Sequence, residues 1–544
     1  MRRSVRVAAM AAVATLSLVA SACSGGGGSA SNSGTAGTGG EITVRGCTPQ
    51  EALLPANTTE SCGNMVLSTI SSQLVHYNVD TAAPEMDLAQ SIDTTDNQNF
   101  TIKLKQDRTF HDGTPVKAKN FVDAWNYAAY APNGQQGSSF YEPVEGFADL
   151  QCPSTDKKCA TSKPKTDKLA GLKVVDDYTF TVKTTTPVSN LPVRLGYSAF
   201  APLPDSFFKD PKAYEKNPIG AGPYKFVSQD TQNIVVQKDP SYKGQWAGHT
   251  DKITYRIYQS VDAAYADVVA NNLDATDIVP TNMLVNDQWK SDAPDRNLTA
   301  KEGVIQLLAF SPVDQKLQNP TLRKAISMAI NREEITKQVF MGTRAPSDSW
   351  VAPSVDGYKA GACGDTCTYN PDMAKQLFQQ AGGYSGTLTL AVNGDGGHKP
   401  WADATCNSIK NTLGVNCQVI VTPDFKTLLD QMKNRELQGM FRYGWQMDYP
   451  SIEDFLTPIY QTGASSNYFN YSSKEFDNLL VQGNEAKTPA EANAKYQEAE
   501  KILAKDLPVL PLWSTTLPLI WSTNVTNVKA TAFGVIDYAA IQKK

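Results

Sequence analysis

The chain has 544 residues with a formal net charge of −5, 41% hydrophobic and 19% charged, the proportions of a folded and not a disordered protein. A mildly acidic balance with no basic patch, no C2H2 spacing and no aromatic–basic repeat excludes nucleic acid as a partner. Only four histidines occur, none at ligand spacing from a cysteine pair, so neither a metal site nor a cofactor is expected.

Residues 1–22 read as an export signal. Arg2, Arg3 and Arg6 form a basic head, 7–20 an apolar stretch too short to span a bilayer, and Ala20, Ser21 and Ala22 a small-residue cleavage site. Cys23 follows at once and resembles the lipid-accepting cysteine of bacterial lipoproteins, which implies anchoring to the outer face of the cytoplasmic membrane; plain secretion is the other reading. From there to residue 40 the chain is almost wholly Gly, Ser, Ala, Thr and Asn, so 23–40 is expected to be a tether. No later run is long and apolar enough to cross a membrane.

Beyond the tether, Phe100, Ile102 and Leu104 alternate with polar residues, as do Phe180 and Val182, and both stretches predict half-buried strands. Between them Ala118, Phe121, Val122, Trp125, Ala128 and Ala129 recur at helical spacing and give one apolar face to pack on those strands. A strand at 253–258, a helix at about 263–271 and a strand around 277–279 read as a βαβ-like unit. Helices through 322–330 and 374–381, then strand 387–392, helix 400–413 and strand 418–422, repeat the alternation, which predicts α/β architecture with mixed sheets. Cys47, Cys62, Cys152, Cys159, Cys363, Cys367, Cys406 and Cys417 fall into four close sequential pairs. In an exported chain they read as disulfides between neighbours, although eight cysteines allow 105 connectivities. The pair with the most support is Cys406 with Cys417, because Gly414 should stop the helix and turn the next strand back beside it.

The stretch GWQMDYPSIEDFL at 444–456 sets Asp448 between aromatic rings ahead of a helix that Ser451 and Asp454 can cap as an S-x-x-D pair. Freed from capping, Asp448 is either a turn residue before Tyr449 and Pro450 or a carboxylate aimed at a cationic ligand group.

FTIKLK at 100–105 with TFHDGTPV at 109–116, NPIGAGPY at 217–224, NPTLRKAISMAINR at 319–332, the 444–456 stretch, and PVLPLW at 508–513 resemble, in order, motifs of one family. It is the family 5 solute-binding proteins of peptide-importing ABC transporters, the oligopeptide and dipeptide binders, and the likeness covers nearly all of 41–544. It implies a two-lobed, periplasmic-binding-protein-like α/β fold that closes on its ligand, with an extra domain in the first lobe. The first lobe would be 41–303, completed by 513–544, and the second 304–512. It also implies a monomer that hands short peptides to membrane permease subunits and is no enzyme.

By the same resemblance Asp448 pairs with a peptide's α-amino group, and Arg442 and His398 face its carboxylate. Arg442 could instead make a surface salt bridge, and His398, in the NGDGGHKP loop, could be an exposed loop histidine. Phe425, Trp445, Tyr449 and Trp513 are candidate pocket walls or ordinary core. Two rival readings remain: the same fold holding an oligosaccharide, nickel chelate, opine or glutathione, and a secreted hydrolase, for which no G-x-S-x-G or H-E-x-x-H motif is present.

Overall fold

The structure, a computed structural model, describes residues 39–153 and 159–544; the export signal, Cys23 and the tether up to residue 38 lie outside them. Among the described residues eleven strands form one mixed sheet. In chain order they are β1 (Glu41–Gly46), β2 (Tyr224–Gln229), β3 (Asn233–Lys238), β4 (Lys252–Ile257), β5 (Ala275–Thr276), β6 (Asn297–Phe310), β7 (Arg344–Pro346), β8 (Leu388–Asn393), β9 (Cys417–Thr422), β10 (Met440–Gln446) and β11 (Val509–Trp521). Their spatial order is β9-β8-β10-β6-β11-β5-β1-β4-β3-β2, with β7 paired to β11.

Two of these strands decide the architecture. At 14 and 13 residues, β6 and β11 are far longer than the rest and pair antiparallel along most of their length, with a register shift between Lys301 and Ile305. On one side of that shift they join β5, β1, β4, β3 and β2; on the other, β10, β8 and β9. Burial follows the same division. One core collects Ile42, Val44, Ile253, Tyr255 and Leu519, while another collects Leu307, Leu390, Phe441, Phe455 and Leu510. Two lobes therefore share a sheet through a pair of strands, and the interrupted register is where that sheet can bend without breaking a regular ladder.

The extra domain has its own core and its own four-stranded antiparallel sheet. Asn99–Leu104 pairs with Thr179–Lys183, placing Phe100 opposite Val182 and Ile102 opposite Phe180, as the alternation requires. The helix α1 (Ala118–Ala129) lays Phe121 on Phe180 with ring centroids 5.5 Å apart and sets Trp125 edge-on to the same ring at 5.7 Å.

In the βαβ-like unit the helix α2 spans Val261–Val269, but its second strand is the two-residue β5, ahead of the expected 277–279. The correction has a local cause: Ser522 N–H donates to Asp274 O and Asp274 Oδ2 accepts from Thr43 N–H, which ties the pairing to 274–276. Farther on, α3 (Lys399–Leu413) ends at Gly414, whose φ of 72° is the left-handed cap that favours glycine. Cys406 and Cys417 are joined across that turn, with Cα atoms 5.0 Å apart. The structure likewise joins Cys47 to Cys62, Cys152 to Cys159 and Cys363 to Cys367. Among the described residues no helix is long and apolar enough to cross a membrane.

Candidate functional site

A cavity of about 720 Å³ lies between the lobes, bounded by β1 and the helix α4 (Ser61–Ile70) on one side and by β10 and the loop after β8 on the other. The lobes are drawn together around it. Gln50 Nε2 donates to Asp430 Oδ1 at 3.2 Å, Arg45 donates to the carbonyl of Asp395, and Arg194 pairs with Glu453 at 3.3 Å.

The strand β10 supplies the floor, and its pairing is incomplete. On one side it pairs with β6 from Met440 to Gln446, but on the other β8 pairs only with Met440 and Phe441. From Arg442 to Gln446 that edge has no strand beside it among the described residues, and all five of these residues line the cavity. An open edge with unspent N–H and C=O groups inside a cavity can take up an extended chain.

At one end of this edge stands Asp448. It is half-buried and opens to the cavity, while its Oδ2 is sealed from solvent and has no hydrogen-bond partner. The expected cap is corrected here in one half. Ser451 does cap the helix α5 (Ile452–Tyr460), accepting from Glu453 N–H, but Asp454 does not reach back to it. Instead Asp454 Oδ2 accepts from the Asp448 N–H at 2.7 Å and from the Trp445 indole at 3.2 Å, so the buried carboxylate fixes both the loop and the aromatic wall. Burial pushes both carboxyls well above the usual range, and the Asp448 charge pushes Asp454 further. Tyr77 and Tyr197 close this end, their phenols also raised by burial. The nearby cation, Arg194, is spent on Glu453 and Asn484.

The other end is basic. Arg442 lies over the Phe425 ring at 4.8 Å, its Nε has no partner, and no carboxylate among the described residues comes within ion-pair distance. Arg344 lies over the Phe340 ring at 4.3 Å, and Arg45 pairs with Asp277 at 2.9 Å. Trp401 donates its indole N–H to His398 Nδ1 at 3.0 Å, which leaves Nε2 as the protonated nitrogen of a neutral ring. Burial, then Arg442, Arg344 and Arg45, hold that histidine far below its usual pKa. A neutral donor among three guanidiniums suits a carboxylate.

Asp448, Trp445, Arg442, His398 and Phe425 thus all line the cavity, and two of the residues singled out in the sequence do not. Tyr449 is buried behind the wall, its hydroxyl on Glu453 Oε2 at 2.6 Å and its ring beside Arg194. Trp513 is wholly buried, edge-on to Phe340 and Trp401 at 5.3 and 5.2 Å. Each has a neighbour that claims it: a buried ion pair for Tyr449, an aromatic cluster for Trp513. Arg45, Arg344, Tyr77, Tyr197 and Trp246 line the cavity without having been singled out. For Arg45 the signal was its place at the end of a strand, where α/β sheets put ligands; the others carry none.

The sequence profile of the bacterial extracellular solute-binding proteins, family 5, matches residues 83–467. The chain belongs to that family. It is 25% identical to the dipeptide-binding protein DppE of Bacillus subtilis over 81% of this chain and 80% of the relative, and 25% identical to the periplasmic oligopeptide-binding protein OppA of Escherichia coli over 79% of each. The solved murein tripeptide binding protein MppA of Escherichia coli superposes with a TM-score of 0.82 at 21% identity, covering 92% of this chain and 98% of that one. Against the unliganded open form of MppA the score is 0.61.

Proposed function

We propose that this protein captures short peptides outside the cytoplasm and delivers them to the permease of an ABC importer. The observation that carries this reading is the unpaired edge of β10, running along the cavity from an arginine with no acid partner to an aspartate with no cation partner among the described residues. Arg442 and Asp448 are six residues apart, roughly 20 Å at about 3.3 Å per residue. Both side chains reach inward, which leaves room for an extended peptide of about three to five residues. Main-chain hydrogen bonds to β10 would supply affinity without regard to side chains, and the two terminal charges would set register and length. The relatives named for dipeptides and oligopeptides support the same choice.

The anchor belongs to this proposal too. Cys23, lipid-modified, would hold a monomer to the outer face of the cytoplasmic membrane by the 23–40 tether, with lobes at 41–303 plus 513–544 and at 304–512. Native mass spectrometry of the purified protein tests the ligand class. Adducts that fragment as tri- to pentapeptides with free N-termini are expected; adducts in pentose or hexose steps would move the protein to sugar binding.

A further inference from the structure

Asp448 answers one ammonium, yet a second carboxyl stands directly behind it. Asp454 is fully buried, its Oδ2 holds the Asp448 N–H and the Trp445 indole, and its Oδ1 has no partner. The Asp448 Oδ2 likewise makes no hydrogen bond of regular geometry, and the Tyr197 hydroxyl is the one neighbour that favours its charged form. Around the pair, Tyr77 comes from the first lobe, Tyr197 and Arg194 from the extra domain, and Glu453 and Tyr449 from the same turn as the pair. None of them supplies a free positive charge, because Arg194 is bound to Glu453, which also takes the Tyr449 hydroxyl.

We propose that the Asp448–Asp454 pair retains one proton while the cavity has no ammonium in it, and that capture of a peptide α-ammonium expels that proton. Two neighbouring carboxyls, one fully buried and the other opening only to the cavity, do not both ionise readily when no cation is near. The arriving ammonium supplies the missing charge, Asp448 ionises toward it, and the proton leaves to solvent through the cavity. Asp454 is then a positioning residue with a second duty: it keeps the empty site neutral. The proposal rests on the peptide reading above.

Its sign follows from the direction of the shifts. Burial raises both carboxyls above their ordinary range, so the empty site binds a proton that the filled site does not. Affinity for an amine-bearing peptide must therefore rise with pH, by up to about tenfold per unit, until the pair has ionised unaided. At pH 6 a peptide α-amine, with its ordinary pKa of about 7.7–8.0, arrives already charged and contributes no proton of its own.

Calorimetry of the alanine tetrapeptide at pH 6, in buffers of different ionisation enthalpy, counts the protons. Wild type should release about one per peptide bound. Asp454→Asn keeps an acceptor for Trp445 and Asp448 but cannot titrate; it should bind the peptide with less proton release than wild type and a flatter pH profile, the remainder being what burial alone keeps on Asp448. Glu60 and Asp87, raised by burial to about 7 and about 6, line the same cavity, and any contribution of theirs would persist in Asp454→Asn. Binding without proton release in wild type overturns the proposal and leaves the peptide reading standing, as does undiminished release in Asp454→Asn. No binding of the tetrapeptide at all overturns the reading and the proposal together.

Discussion

The place of Asp448 on the cavity wall was legible in the sequence because everything that marks it is local: rings on either side and a serine three residues on that takes over the cap. Its opposite number was harder to see. The basic end is assembled from Arg45 on β1, Arg344 on β7 and Arg442 on β10, strands nearly four hundred residues apart at the extremes, and no short window contains two of them. Asp454 was misread for a related reason: its spacing fits a cap, but the Trp445 indole and the Asp448 N–H offer a buried carboxylate two donors at once. If Asp448 neutralises a bound ammonium, Asp448→Ala strands that charge, and breaking such a buried pair costs about 3–5 kcal/mol, or two to four decades in affinity. Equilibrium dialysis against a labelled tetrapeptide should show that loss with the thermal unfolding of the empty protein little changed. A similar loss for the N-acetylated peptide would mean that Asp448 shapes the loop and holds no ligand.

At the scale of elements, periodicity located the strands and helices well wherever one face is buried, as in α1 against Phe180 and in β8, α3 and β9. It failed at β5, only two residues long, where the hydrogen bonds of Asp274 and not a hydrophobic pattern set the position. The segment between Cys47 and Cys62 shows what a disulfide does for function. It ties the end of β1 to the first turn of α4, and within that loop Gln50 and Glu51 reach across to Asp430 and Lys433 on the helix Phe425–Lys433 of the other lobe. A loop closed over 15 residues is worth about 3 kcal/mol on the chain-entropy model. The double variant Cys47→Ser, Cys62→Ser should lose stability of that order in denaturant titration and also bind peptide more weakly, because the clasp is no longer held. Unchanged binding beside lost stability would confine the disulfide to folding.

Across the whole molecule, the alternation of elements announced α/β lobes, but not that one eleven-stranded sheet runs through both of them. That continuity depends on β6 and β11 pairing across about two hundred residues of sequence, a contact no local pattern encodes. It also explains how the site works. The acid end, the open edge of β10 and two of the three arginines belong to the second lobe, while Arg45, Tyr77 and Tyr197 come from the other side, so the cavity is complete only when the lobes meet. A peptide held at both termini would bridge them and favour the shut arrangement by its differential affinity for it. The most direct test is a calorimetric comparison of one tetrapeptide in its free, N-acetylated and C-amidated forms. The free peptide should bind at micromolar affinity or tighter, about −8 kcal/mol, with each blocked form weaker by at least about tenfold. Equal affinity for all three, or no binding of the free form, would contradict capture by the two ends.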